Sequence, residues 1–123
     1  MAYLLKYPVV LLIFVVIPVM LFAEGDKYGD VEKEKINYLL DSIEQSGAIF
    51  VRNGAEHSSK KAREHLELKL KRGGKYAKTA EDFIDNLASK SSFTGELYIM
   101  KFPDGKIVNS GDWLKRQLDS RNP

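Results

Sequence analysis

Hydrophobic positions recur along this chain with two periods. In "VEKEKINYLLDSIEQSG", Ile36, Leu39, Leu40 and Ile43 fall at i, i+3, i+4 and i+7, the spacing that gathers apolar side chains on one face of an α-helix. Glu32, Lys33, Glu34, Lys35, Asp41 and Glu44 take the opposite face, and Gly47 ends the run as a C-terminal glycine does. Ala48 to Val51 is short and rich in β-branched and aromatic residues, a strand or an extended connector. Arg52-Asn53-Gly54 breaks it, because Asn-Gly tolerates positive φ. A second helix is expected from Ser58 or Ser59, either of which can cap it, to Arg72, with Gly73-Gly74 as its stop. Its apolar stripe is narrow: Ala62, Leu66 and Leu70, with Leu68 off that line. Such a helix is mostly exposed or faces a partner.

The third helix, in "KTAEDFIDNLASKSS", has Thr79 as N-cap and Asp82 three residues on, close to a capping box. Ala80, Phe83, Ile84, Leu87 and Ala88 form its core face. The period then falls to two, with Leu97, Ile99 and Lys101 alternating with Tyr98, Met100 and Phe102. Pro103-Asp104-Gly105 makes a turn, Ile107 and Val108 return, and Asn109 or Ser110 caps a last helix holding Trp113, Leu114, Gln117 and Leu118. The expected architecture is α+β, three to four helices packed with a small β-hairpin in a single domain over residues 32–119. Residues 24–31, with Gly25 and Gly29, read as a linker. There is no internal repeat and no low-complexity tract.

The leading residues 1–23 have the form of a secretory signal peptide. Lys6 supplies the positive start, Tyr7 to Phe22 is apolar, and small Ala23 precedes polar Glu24-Gly25-Asp26. Pro18 breaks the apolar helix before that point, whereas Leu21 is larger than a cleavage site prefers. The competing reading is an N-terminal anchor through residues 7–23, whose 17 residues fall short of the ~20 that span a bilayer. Both readings export the rest of the chain, to the periplasm or to the outer face of the inner membrane.

Of 123 residues, 100 remain after the leading 23, enough for one small domain with a modest core. Removing Lys6 from the 19 basic residues leaves 18 against 17 acidic ones. That balance lacks the positive excess needed to neutralise phosphates, so nucleic acid is not an expected partner. The local run of Lys60, Lys61, Arg63, Lys69, Lys71, Arg72, Lys75 and Lys78, interleaved with Glu56, Glu64 and Glu67, reads as a solvated face with opposite-charge pairs at helical spacing. With no cysteine, disulfides, zinc–thiolate sites, thiol catalysis and iron–sulfur clusters are excluded.

Candidate chemistry is sparse. His57 and His65 are the two histidines of the chain. On one helix they would stand ~12 Å apart, too far to share a metal unaided. The His-Glu-x-x-His spacing is absent; Glu56, Glu64 and Glu67 complete a site only if His57 folds back. A two-histidine acid–base pair beside a lysine suits phosphodiester cleavage only in a geometry that spacing does not supply. Arg52-Asn53-Gly54 is either an anion nest with Arg52 as donor fork or a tight turn whose Arg pairs with a local Glu. Ser91-Ser92-Phe93-Thr94-Gly95 lacks the Gly-x-Ser-x-Gly elbow and reads as a helix exit. Tyr98, Phe102 and Trp113 sit at core spacing. The candidate ligand-binding residues are Arg52, Asn53, Glu56, His57, His65, Ser91, Ser92 and Tyr98, with no catalytic residue, no metal ligand and no cofactor assigned.

"AIFVRNGAEHSSKKAREHLELKLKR", "KTAEDFIDNLASKSSFTGELYIMKFPDGK" and "GDWLKRQL" together resemble the YfeK-like family of small bacterial periplasmic proteins, a domain of unknown function. The resemblance covers roughly residues 32 to 119. It implies an exported Gram-negative protein and implies no activity or site residues. The reading reached from the residues is an exported, small, non-catalytic binding or interaction protein of the bacterial envelope, with an envelope protein or a small ligand as partner. It meets the membrane only if the leading segment is retained. The alternative is a small envelope hydrolase or metal binder using His57 and His65.

Overall fold

Helix α1 runs from Lys27 to Gln45 and buries Ile36, Leu39, Leu40 and Ile43, the stripe its periodicity predicts. The computed structural model describes residues 27–121. The expected targeting segment lies outside them, as do residues 24–26 of the expected linker. Residues 27–31 of that linker are helical instead. Asp30 in the first turn complements the helix dipole. Glu32, 6% exposed, is fixed by accepting a hydrogen bond from the Ala80 amide at 3.0 Å, so the helix start is held from a distant segment. Gly47, at φ +69°, ends α1 in the left-handed conformation a glycine adopts without cost.

Strand β1 (Ile49–Arg52) and strand β2 (Ala55–His57) form a hairpin around Asn53 (φ 49°) and Gly54 (φ 79°). Both central residues are left-handed, as a two-residue type I′ turn requires. β2 has only Ala-Glu-His, too short and too polar to show alternation, and the turn and its pairing with β1 hold it. A second hairpin, β3 (Ile99–Lys101) and β4 (Ile107–Asn109), joins the first along β1 and β3. The small hairpin expected from the sequence is therefore half of a four-stranded antiparallel sheet of order β2-β1-β3-β4.

Register decides which side chains reach the core. Phe50 stands opposite His57 on one side and Met100 on the other. Because side chains alternate across a strand, Arg52 and Tyr98, each two residues along, share that helix-covered face. Ile49, Val51, Ile99 and Ile107 fall on the opposite face, where Ile49 and Ile107 are exposed.

Helix α2 (Ser59–Gly73) is capped by the Ser58 hydroxyl, which accepts from the Lys61 amide at 3.2 Å, and a 3-10 turn follows at Gly74–Tyr76. Ala62 and Leu66 face the core. Arg63 ties α2 to α1 through Asp41 (2.6 Å) and Glu44 (2.8 Å) while also holding Glu67 (2.7 Å). Helix α3 (Ala80–Phe83) starts with the Thr79 hydroxyl accepting from the Asp82 amide at 3.0 Å, then widens into a π turn at Ile84–Ala88. The carbonyls past the widened turn are used elsewhere: Ala88 accepts from the Ser110 hydroxyl at 2.8 Å, and Ser89 from the Tyr98 amide at 2.9 Å. Ser110 thus opens helix α4 (Ser110–Arg121) with its hydroxyl turned to α3. The helices bury Leu39, Ile43, Phe83, Ile84 and Leu114 against Met100 of the sheet, each contributing about 1.5–3 kcal/mol relative to exposure. No helix among the described residues is long and apolar enough to cross a membrane.

Candidate functional site

Three segments meet at one end of the helix-covered sheet face. The type I′ turn ends β1 at Arg52, with Asn53 beyond it. On α2, His65 and Lys69 are one turn apart and so lie on one side of the helix. The third segment is the loop after α3. The Lys90–Leu97 bridge closes it, with the Ser91 amide bonded to the Glu96 carbonyl at 2.9 Å. Between them lies an open groove of about 410 Å³ lined by Arg52, Asn53, His65, Lys69, Ser91, Ser92, Phe93 and Tyr98. A smaller hollow of about 20 Å³, the size of one water molecule, adjoins it and is lined by His57 and His65 with Phe50, Ala62 and Leu66. His57 Nε2 is buried and has no hydrogen-bond partner among the described residues.

Among the described residues that line the groove, positive charge is concentrated without an acid. The Lys69 ammonium donates to the Lys90 carbonyl and to the Tyr98 hydroxyl, each at 3.0 Å. Burial, and then the Arg52 charge, lower its pKa from 10.5 to about 8. His65 is driven down to about 4, first by burial and then by Arg52, Lys69 and His57, so its imidazole is neutral at neutral pH. Burial pushes the Tyr98 phenol up. Its hydroxyl, accepting from Lys69, keeps a proton for His65 Nε2 at 3.4 Å when that nitrogen is unprotonated. The Arg52 side chain is half-buried and makes no ion pair or hydrogen bond among the described residues. Among the described residues no carboxylate lines the groove. Two cations that repel one another with no acid between them form a site that an anion would relieve.

Six of the eight residues singled out in the sequence line this groove: Arg52, Asn53, His65, Ser91, Ser92 and Tyr98. His57 lines the adjoining hollow. Glu56 does not join them. Pairing opposite Val51 places it on the other sheet face, 3.8 Å from Lys101. Among the described residues Arg52 pairs with no Glu, and its nearest one in sequence, Glu56, lies beside Lys101 instead. Ser91 is 4% exposed, and its oxygen accepts from Asn53 Nδ2 (3.2 Å), the Phe93 amide (3.3 Å) and the Thr94 amide (3.4 Å). With Asn53 Oδ1 accepting from the Thr94 hydroxyl at 2.7 Å, this knot fastens the loop to the β1–β2 turn. The Ser91 hydroxyl is engaged in structure and is not poised as a nucleophile. Among the described residues no three His, Asp or Glu side chains gather as a metal would need, and Arg52 and Lys69 repel a cation from the two histidines.

Two residues of the groove escape a reading of the sequence, Lys69 and Phe93. For Lys69 a signal exists. Lys61 has Glu64 and Arg63 has Glu67 in helical reach, and both pairs form, at 3.3 Å and 2.7 Å. Lys69 has His65, Leu66, Arg72 and Gly73 at those spacings and no acid, so it never belonged to a self-compensating face. Phe93 carries no periodic signal, because it belongs to a loop.

The chain belongs to the Family of unknown function (DUF5329), which matches residues 30–122. It is also similar to the "Uncharacterized protein YfeK" of Salmonella typhimurium, 44% identical over 68 residues, a stretch that covers 54% of this chain and 57% of that protein. The chain thus aligns with little more than half the length of that relative. No solved structure matches it.

Proposed function

We propose that this member of the DUF5329 family is an exported, non-catalytic binding protein of the bacterial envelope, which takes the anionic group of a small ligand in the groove between α2 and the 91–95 loop. The observation that carries the reading is the pairing of half-buried, unpartnered Arg52 with partly buried Lys69 in a groove without a carboxylate. A guanidinium offers a planar donor fork to a carboxylate or phosphate, and the lysine adds a point charge beside it. Export rests on the leading segment, with Lys6, the apolar run from Tyr7 to Phe22, and Ala23.

The groove does not favour catalysis by the groups in it. The Ser91 oxygen accepts from three donors, and His65, at about 4, is a far weaker base than acid–base catalysis near neutral pH uses. His57 is half-buried and lines the adjoining hollow, not the groove. What remains is a cationic surface with hydrogen-bond donors, which supports a binding role.

Titration calorimetry with inorganic phosphate and with acetate tests the reading. Binding is expected to weaken by about 10-fold or more in Arg52→Gln and in Lys69→Gln, the loss of one charge-assisted contact, with melting temperatures close to wild type. Absence of binding to either anion in the wild type, or affinities untouched by both substitutions, overturns it.

A further inference from the structure

Phe93 stands at the rim of the groove with its side chain 100% exposed. A phenyl ring on a loose loop would fold back onto the nearest apolar surface, but this loop is not free to do so. The Phe93 amide is held by the Ser91 hydroxyl at 3.3 Å. The next amide is held by the same oxygen, and the Thr94 hydroxyl is tied to Asn53 across the groove mouth at 2.7 Å. Gly95, at φ +75°, sets the chain back toward β3. The fold therefore spends a pinned turn on keeping one aromatic ring in solvent beside two cations.

We infer that the natural ligand carries a planar aromatic ring next to its anionic group, and that Phe93 reads the ring while Arg52 and Lys69 hold the charge. This rests on the anion-binding reading of the groove. The volume suits it: about 410 Å³ exceeds the ~150 Å³ that holds benzene in an enclosed cavity, which leaves room for a ring and its charged substituent. Aromatic rings pair offset or edge-on and are worth more to one another than their buried area alone. The Arg52 guanidinium can stack on the same ring while it binds the anion. A lipid surface fits less well, because the neighbours of Phe93 are Ser92 and Thr94, and a single ring between hydroxyls is not the contiguous apolar patch that a membrane contact uses.

Calorimetry of the purified protein with inorganic phosphate, phenyl phosphate and butyl phosphate tests the inference, on wild type and Phe93→Ala. Phenyl phosphate is expected to bind wild type about 5-fold more tightly than phosphate, the scale of one aromatic pair, and butyl phosphate less tightly than phenyl phosphate. In Phe93→Ala the phenyl advantage is expected to vanish with phosphate affinity unchanged. Full exposure of the side chain makes this a variant that folds. Phosphate binding with no phenyl advantage overturns the aromatic inference and leaves the groove reading standing. So does an equal gain from the butyl chain, or a Phe93→Ala loss that affects both ligands alike. If phosphate itself does not bind, the groove reading falls and takes this one with it. Co-sedimentation with phosphatidylglycerol vesicles, lost in Phe93→Ala and without a phenyl preference in calorimetry, reassigns the ring to a membrane contact and overturns the inference.

Discussion

The Lys69 ammonium lies 3.0 Å from the Tyr98 hydroxyl, joining α2 to the start of β3 across 29 residues of chain. The contact holds the lysine at the groove beside Arg52 instead of letting it extend into solvent. The charge of Lys69 titrates near neutrality, since burial and then Arg52 bring its pKa to about 8.

Anion affinity is therefore expected to fall as pH rises through about 8, because the lysine loses the proton that the anion needs. The midpoint should lie higher when ligand is present, since a bound anion favours the charged form. Lys69→Arg should keep its affinity across that range. Acetate titrations between pH 6 and pH 10, where the ligand's own charge is constant, buffered at constant ionic strength, read this directly; an affinity flat across the range is the contrary result.

His65 gives a second pH dependence, in stability. Its folded pKa is about 4 against 6.5 for the free side chain. Between these values the unfolded chain binds the proton and the folded chain does not, so acidification favours unfolding. Stability is expected to be full above pH 6.5 and to drop on the way to pH 4, by on the order of 1–2 kcal/mol once solvent screening of a partly exposed ring is allowed for. Urea midpoints at pH 7 and pH 4.5 measure it, and His65→Gln should flatten the change.

Glu32 acts in a lower window. The Ala80 amide, then Lys35, hold its carboxyl below its ordinary value against the cost of burial. A carboxyl with a depressed folded pKa stabilises above its unfolded pKa, and that contribution is lost as pH falls below about 4.5. Glu32→Ala leaves the Ala80 amide buried without an acceptor and should cost about 1–3 kcal/mol, visible in denaturant unfolding at pH 7. Glu32→Gln keeps an acceptor and should cost less.

Gly111→Ala sets helix propensity against packing. Alanine gains up to about 1 kcal/mol inside a helix. A Cβ at this position would meet the Ser89 Cβ at 2.9 Å, closer than carbon atoms tolerate, and that atom belongs to the turn fixing α3 to α4. The clash should win, with a net loss of about 1–2 kcal/mol. Thermal melting decides it, and a raised melting temperature would show that Ser89 yields freely.

Much of the scaffold was legible from local patterns. Ile36, Leu39, Leu40 and Ile43 announce α1, Ser58 and Thr79 cap α2 and α3, and Asn53-Gly54 makes its turn, because periodicity, capping and positive φ are decided within a few residues. The site was legible in part. Six residues that line the groove stand out by their polar character near turns, whereas strand register, a matter of pairing, puts Glu56 on the other sheet face. Lys69 was lost in a charged run because its partners, Tyr98 and the Lys90 carbonyl, are 29 and 21 residues away.

The chain by itself determined the helices, the turns and the α+β class, since each answers to forces between near neighbours. Only the tertiary structure decided that β2 exists, that Glu32 caps a helix 48 residues on, and that Arg52 and Lys69 share a groove with no acid. Spacing shows that Lys69 lacks an acid on its own helix, but burial and the meeting of distant segments are decided by tertiary packing, which no spacing along the chain carries.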